Sequence, residues 1–183
     1  AGAGVLSAGA TEELRALAEL LDIPVYTSMP GKSAFDERHP LSLGAGGSTV
    51  TGPARQWLDS SDVIFAIGAS LTSSPYAQRF SLEKFLIHSV INIDEINKDT
   101  VADIGLAGDA RLTLTAILDV VKGLIGEDGR STGVQDRIAK SREEWMESWR
   151  PYLTNNDAPL SPYRVIHEMG QNLDLENSVV THD

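Results

Sequence analysis

Residues 1–10, with the sequence AGAGVLSAGA, are the stretch whose residue types could bind an anion. Small residues and three glycines run directly into an amphipathic helical pattern, as they do where a β-strand turns tightly into a helix. Glycines let the backbone approach a phosphate, and the unpaired N–H groups of a helix N-terminus favour negative charge. Close packing of strand against helix would need the same glycines, so both interpretations stay open. A strand is expected to precede this first loop, which suggests a fragment of a longer protein.

Other motifs that could do chemistry are incomplete. The Gly31-Lys32-Ser33 sequence lacks the glycine five positions earlier that a phosphate-binding P-loop needs, because Tyr26 stands there. A dinucleotide fold of the NAD type needs an acid about 20 residues after its glycines, where this chain has Thr27 and Ser28. The four histidines are scattered and cysteine is absent. We therefore predict no catalytic residue and no metal ligand in this chain.

Composition excludes several classes of partner. The formal net charge is −11, whereas nucleic acids and anionic membranes attract clustered lysine and arginine. No apolar run approaches the ~18 residues of a membrane span. The first residues have neither the basic region nor the apolar core of a signal peptide, so a cytoplasmic location is expected.

The elements that would position the first loop alternate along the chain. Apolar spacing and cap residues predict helices at 11–21, from Pro53, and at 110–124, 134–149 and 163–173, the fourth ended by Pro151. Apolar runs predict strands at 23–27, 62–68, 89–94, 104–107 and from 178, while 43–48 is interpreted as a flexible loop. This alternation predicts an α/β fold, Rossmann-like, with a mostly parallel sheet, helices on both faces and a C-terminal helical extension.

Composition shifts divide the chain into three predicted parts. Residues 1–124 form a Rossmann-like domain, residues 125–160 a linker that carries one helix, and residues 161–183 the start of a further α/β domain.

Seven short stretches follow one another in a fixed order through residues 1–124. They are AGAGV at 1–5, ELRALAE at 13–19, PV at 24–25 with GKSA at 31–34, HPLSLG at 39–44, DVI through GA at 62–69, INID at 91–94 and GDA at 108–110. In this order they resemble the central domain of thiamine-diphosphate-dependent enzymes, the group of acetolactate synthase, benzoylformate decarboxylase and oxalyl-CoA decarboxylase. Residues 161–183 resemble the entry into the diphosphate-binding C-terminal domain of that family.

The resemblance implies a larger parent enzyme that decarboxylates a 2-oxo acid. Family members have three α/β domains, and thiamine diphosphate with Mg²⁺ lies between the first and third domains of two subunits. The activating glutamate belongs to the first domain and the Gly-Asp-Gly…Asn metal signature to the third, and neither is in this sequence. We therefore expect a non-catalytic domain whose partners are the remaining domains, within a parent homo-oligomer.

The resemblance also implies a nucleotide site, since this domain holds FAD in acetolactate synthases, ADP in oxalyl-CoA decarboxylases and nothing in several decarboxylases. The positions that match nucleotide contacts are Gly2, Ala3, Gly4, Ser28, Met29, Gly68, Ala69, Ser70, Asp94, Gly108 and Asp109. Asp94 matches an acid that accepts from the adenosine ribose, although it could equally cap a turn. Asp109 could equally be an ordinary helix N-cap.

Two departures from the family weaken the match to FAD. The arginine of the family's Gly-Ala-Arg turn, a natural phosphate partner, is Ser70 here. The flavin-contacting Gly-Met-His-Gly of the family aligns with residues 47–50, which read GSTV. ADP, FAD and an empty domain all stay open. The alternative function is a free-standing nucleotide-binding module similar to the NADP-binding domain of transhydrogenase.

Overall fold

A computed structural model describes residues 1–77, 80, 81, 83–174 and 176–181. Its helices are α1 (Ala3–Ser7), α2 (Thr11–Leu21), α3 (Gly52–Ser60), α4 (Ala110–Ile125), α5 (Val134–Thr154) and α6 (Pro162–Asn172). Its strands are β1 (Val25–Ser28), β2 (Ser42–Gly46), β3 (Val63–Ile67), β4 (Phe85–Val90) and β5 (Ile104–Ala107). Single 3₁₀ turns cover Met29–Gly31 and Ile93–Glu95. The chain divides into two units, Ala1–Ser141 and Arg142–Asp183. The three-part division at 124 and 160 stays a prediction.

All described strand pairs are parallel, and all belong to the first unit. β1 pairs with β2, while β3, β4 and β5 form a second sheet with β4 in the centre. In chain order α2 precedes β1, α3 lies between β2 and β3, and α4 follows β5. The predicted α/β, Rossmann-like class is confirmed.

Two residues at the start of the chain connect the two sheets. The Ala1 nitrogen donates to Tyr26 O at 2.7 Å, and Ser28 N donates to Ala1 O at 2.9 Å. On the other side Gly2 N donates to Ile67 O at 2.9 Å. Ala1 and Gly2 therefore occupy a strand position between β1 and β3.

The core lies where α2 and α4 pack on the sheets. The predicted apolar face of α2 is buried at Leu14 and Leu17, and that of α4 at Leu114 and Leu118. These side chains belong to one cluster that also contains Ile138 of α5. Both amphipathic helices were predicted from apolar spacing alone, and both predictions are confirmed.

One loop prediction and one strand prediction in the first unit are wrong. The predicted loop at 43–48 contains β2, because glycine and alanine leave the backbone free to pair, as Ala45 does with Thr27. The strand predicted at 89–94 ends at Val90 instead. Beyond Val90, the Asn92 side chain accepts from Asp94 N at 3.0 Å and caps a 3₁₀ turn. This local hydrogen bond takes the place of further strand-to-strand hydrogen bonds.

Two predictions in the C-terminal unit are also wrong. Helix α5 continues through Pro151 to Thr154, since a proline near a helix end removes only one hydrogen bond of the last turns. Residues 178–181 form no strand, because no strand edge pairs with them among the residues that the structure describes. The final residues of that predicted strand, His182 and Asp183, lie outside the described residues.

Aromatic contacts hold the described part of the C-terminal unit together. The Trp149 ring lies 4.9 Å from that of Tyr163 and 5.5 Å from that of Tyr152. Ser161 caps α6 by accepting from Tyr163 N, which confirms the predicted start of this helix.

Candidate nucleotide site

The predicted first loop contains the short helix α1, and Gly2 and Gly4 at its start pack directly on the turn that follows β3. Gly4 N donates to Gly68 O at 2.9 Å. A Cβ added to Gly2 would lie 2.3 Å from Gly68 O, and one added to Gly4 would lie 2.7 Å from the Gly68 Cα. Gly68 itself has a φ of +61°, a region that favours glycine. Backbone packing therefore accounts for Gly2 and Gly4.

A buried histidine, which the sequence analysis did not single out, fixes the same turn. His88 of β4 is fully buried, and its Nε2 lies 2.7 Å from Ala69 O. Because a carbonyl only accepts, Nε2 carries the proton and Nδ1 is left buried without a partner. The available signal was an ionisable side chain within a sequence that is mostly apolar.

A cavity of about 210 Å³ opens where β3, β4 and β5 end. Its lining residues are Gly4 from the first loop, Gly68 and Ser70 after β3, Val90, Ile91, Asn92 and Glu95 at and after the end of β4, and Gly108, Asp109 and Ala110 after β5. Ligands of parallel α/β folds bind beyond the carboxyl ends of the strands, so the cavity lies at the expected edge.

The eleven predicted contact residues fall into three groups. Those that line the small cavity are Gly4, Gly68, Ser70, Gly108 and Asp109. Those that line a larger cleft of about 1180 Å³ between β1 and β3 are Ala3, Ser28, Met29 and Ala69, together with Gly68 and Ser70. Gly2 and Asp94 line neither space.

Carboxylates set the charge of the small cavity. Asp109 caps α4 by accepting from Arg111 N at 2.9 Å and Leu112 N at 3.1 Å, which confirms the N-cap interpretation. Those N–H groups are consequently not available to a phosphate. Glu95, not Asp94, faces the cavity from the 3₁₀ turn, and its Oε1 accepts from Lys98 at 3.2 Å. Asp94 is exposed.

The small cavity combines apolar walls with carboxylate groups. Carbon atoms of Val90, Ile91 and Ala110 form apolar walls, and two carboxylates stand at the rim. Among the residues that the structure describes, no lysine or arginine lines the cavity. Such walls suit an aromatic base, and the acids suit hydroxyl donors.

The described residues contain neither a metal-binding cluster nor a membrane-spanning helix. No group of three or more His, Asp or Glu side chains within 1–77, 80, 81, 83–174 and 176–181 is placed to hold a metal ion. Across the same residues, no helix has both the length and the apolar character needed to cross a membrane.

Comparison with known proteins decides the family. The sequence profile described as "Thiamine pyrophosphate enzyme, central domain" matches residues 1–117. The chain belongs to this family. Its two parallel sheets are thus those of a thiamine pyrophosphate enzyme central domain.

Curated relatives of this central domain carry acetolactate synthase names. A "Probable acetolactate synthase large subunit" of Methanococcus aeolicus is 32% identical over the whole chain, which covers 32% of that relative. The protein of the same name from Methanocaldococcus jannaschii is 33% identical, with 100% of this chain and 31% of the relative covered. An "Acetolactate synthase" of Mycobacterium avium is 30% identical over 93% of this chain and 27% of its own length. The chain spans about a third of the length of these relatives.

Proposed function

We propose that this chain is the non-catalytic central domain of an acetolactate-synthase-like enzyme that decarboxylates a 2-oxo acid. Support comes from the family match over residues 1–117 and from relatives of that name that align with the whole chain. In the parent, thiamine diphosphate would supply an electron sink for the carbanion left by decarboxylation. The described residues offer no carboxylate or histidine cluster for its Mg²⁺, so no step of that chemistry is assigned to them.

We further propose that the domain binds the adenosine half of a nucleotide, ADP or FAD, in the cavity beyond β3, β4 and β5. The observation that carries this proposal is the position of an apolar, acid-rimmed space at the carboxyl edge of three parallel strands. Its volume of about 210 Å³ is below the ~300 Å³ of the smallest drug-sized pockets, which fits a nucleoside better than a whole dinucleotide.

The charges favour contact with ribose over contact with phosphate. Glu95 and Asp109 can accept from ribose hydroxyls, whereas their negative charge opposes a diphosphate nearby. Ser70 stands where the family's phosphate-binding arginine would be. The phosphates of ADP would consequently extend outward into solvent or into the larger cleft, which Ser70 also lines.

Titration calorimetry with adenosine, ADP and FAD tests the proposal on the intact chain. We expect all three to bind with affinities within about threefold of one another, and FAD to keep its solution absorbance spectrum. Guanosine is the matched ligand control. Failure of adenosine to bind, or equal binding of guanosine, would refute the adenosine site.

Two neighbouring acids provide matched variants for the same titration. Glu95→Gln removes a carboxylate that lines the cavity, whereas Asp94→Asn changes the exposed acid beside it. Loss of one charged hydrogen bond corresponds to about 1.5–3 kcal/mol. Glu95→Gln should therefore lower the affinity for adenosine by about tenfold or more. Asp94→Asn should leave the affinity unchanged. The reverse pattern would assign the ribose contact to Asp94, as the sequence alone predicted.

A further inference from the structure

Each of the two carboxylates at the rim of the small cavity has one oxygen engaged within the protein. Asp109 Oδ1 accepts from Arg111 N at 2.9 Å and from Leu112 N at 3.1 Å. Glu95 Oε1 accepts from Lys98 Nζ at 3.2 Å. Among the described residues no hydrogen bond reaches Asp109 Oδ2 or Glu95 Oε2. One oxygen of each acid is therefore available to accept from a hydroxyl group of a ligand.

The basic residues nearest to these acids in sequence are already paired with carboxylates. Arg111, in the first turn of α4, donates from its Nε to Glu13 Oε1 on α2 at 2.7 Å. Lys98 is paired with Glu95. Neither Arg111 nor Lys98 lines the cavity. A phosphate inside the cavity would thus meet two carboxylates, while both neighbouring cations are already compensated by acids.

A ribose presents different groups to such a wall depending on where it is phosphorylated. Free 2′- and 3′-hydroxyls are two neighbouring donors, which match two carboxylate acceptors. A phosphate monoester at either position removes one donor and adds about two negative charges at neutral pH. Dinucleotide folds follow the same rule, since an acid accepts from a free ribose hydroxyl whereas an arginine accommodates a 2′-phosphate. The charges of this cavity are those of the first kind.

We propose that Glu95 and Asp109 make the cavity selective for adenosine compounds with a free ribose 2′,3′-diol, and that they exclude nucleotides phosphorylated on either hydroxyl. A phosphate at the 5′ position is tolerated, because it extends away from the cavity. This inference rests on the proposed adenosine site and adds the part of the ligand that the two acids select. It also opposes the alternative of an NADP-binding module, since NADP carries a ribose 2′-phosphate.

Lys98 makes the selectivity depend on Glu95 in a way that a substitution can reverse. Its ammonium compensates part of the Glu95 charge while the pair is intact, and among the described residues Lys98 has no other ion-pair partner. Loss of the Glu95 carboxylate would therefore remove a repulsive charge and release a cation close to the cavity. A released ammonium attracts phosphate, so the preference against ribose phosphates should fall sharply.

Calorimetric titration of the full chain with the three isomers of AMP tests the proposal. At pH 7.5 the 2′-, 3′- and 5′-monophosphates have the same composition and nearly the same charge, so they differ only in the position of the phosphate. We expect 5′-AMP to bind within about threefold of adenosine. The 2′ and 3′ isomers should each bind at least about thirtyfold more weakly, since each loses a charged hydrogen bond and gains repulsion.

Variants at two positions separate the contribution of each charge. Glu95→Gln should reduce the preference for 5′-AMP over at least one ribose-phosphate isomer by about tenfold or more. Most of that change should disappear when Lys98→Met is added, because the released ammonium is gone. Asp94→Asn is the matched control, since it removes the same charge from the exposed neighbouring acid and should leave all three affinities unchanged. Adenosine binding by each variant shows that the site is still folded.

Each failure of the proposal has a distinct meaning. Equal affinities for the three isomers, while adenosine binds, would overturn the selectivity and leave the adenosine site standing. Tighter binding of the 2′ or 3′ isomer than of 5′-AMP would overturn it in favour of a site for ribose phosphates. An unchanged preference in Glu95→Gln would contradict selection by the Glu95 charge. Absence of binding by adenosine and by all three isomers would refute the adenosine site itself, and this inference with it.

Discussion

The carboxylate of Asp22, at the end of α2, accepts hydrogen bonds from both the backbone N–H and the hydroxyl of Thr132. The distances are 2.6 and 2.8 Å, across 110 positions of sequence. A further hydrogen bond, from Arg130 N to Leu20 O at 2.9 Å, holds the same segment. The glycine-rich residues 126–133 are therefore anchored to α2 immediately before α5 begins.

Asp22→Asn should lower the free energy of unfolding at pH 7 by about 1–3 kcal/mol. The hydrogen bonds from Thr132 hold the pKa of Asp22 below its usual 3.8, and asparagine tolerates the φ of 51° at this position. The charged form is favoured in the folded state, so its contribution is present above pH 3.8 and is lost as the pH falls through the folded pKa.

Urea unfolding at pH 7 and at pH 3 measures this effect. The difference between wild type and variant should shrink at the lower pH. Asp119→Asn on the exposed side of α4 is the control and should stay within about 0.5 kcal/mol of wild type. A difference that is the same at both pH values would contradict the role of the Asp22 charge.

Gly2→Ala should destabilise the fold by about 1–3 kcal/mol, because its Cβ would overlap Gly68 O. Gly123→Ala is the matched change in α4, where a Cβ has open space, and it should stabilise by about 0.5–1 kcal/mol. Thermal unfolding of both variants checks the pair. A neutral Gly2→Ala would show that the first loop does not require close packing.

His88→Leu should cost about 1–3 kcal/mol, since the Ala69 carbonyl would lose its donor in a buried setting. Ser89→Ala, at the next position of β4, removes a buried hydroxyl that has no partner and should be neutral or stabilising. Denaturant unfolding measures both. Equal costs at the two positions would mean that packing volume, not the hydrogen bond, explains the effect.

The free amine of Ala1 should make stability rise with pH between about 5 and 8. Its pKa falls from 8.0 to about 5 on folding, so the unfolded chain binds more protons throughout this window. The gain has an upper bound of about 4 kcal/mol, at about 1.4 kcal/mol for each pKa unit. N-terminal acetylation removes the ammonium.

Unfolding of the acetylated and the free chain should be compared at pH 5.5 and pH 8.5. The acetylated chain should be the more stable at the lower pH, and the difference should narrow at the higher pH. A difference in unfolding free energy that does not change with pH would indicate that the terminal nitrogen is exposed to solvent in the folded chain.

Ser70→Arg should add a cation beside the small cavity and the larger cleft, both of which Ser70 lines. A guanidinium pairs with a diphosphate by charged hydrogen bonds, so the ratio of ADP to adenosine affinity should rise about tenfold or more. Ser70→Gln, long but neutral, is the control. Calorimetry that shows the same increase for adenosine would contradict a phosphate contact.

Local patterns in the sequence predicted much of the first unit. The apolar spacing of α2 and α4, the N-cap of Asp109 and the proline start of α3 are all confirmed, because each depends on residues within one or two turns. Five of the predicted contact residues line the cavity, among them Gly68 and Gly108, which directly follow β3 and β5.

Non-local contacts decided the rest. β2 is a strand because β1 lies beside it and pairs with it. A sequence of glycine and alanine has no apolar alternation from which that pairing could be predicted. Glu95 rather than Asp94 faces the cavity because a single 3₁₀ turn, started by Asn92, rotates the two acids to different sides.

By itself the sequence determined the family, the alternation of helices and strands, and the small residues where the backbone must come close. Short-range periodicity and capping carry that information along the chain. Only the tertiary structure decided that Gly2 and Gly4 pack against Gly68, and that Asp22 anchors Thr132. It also decided that β1 and β3 face each other across an open cleft, because the hydrogen-bonding partners of each edge lie far apart in sequence.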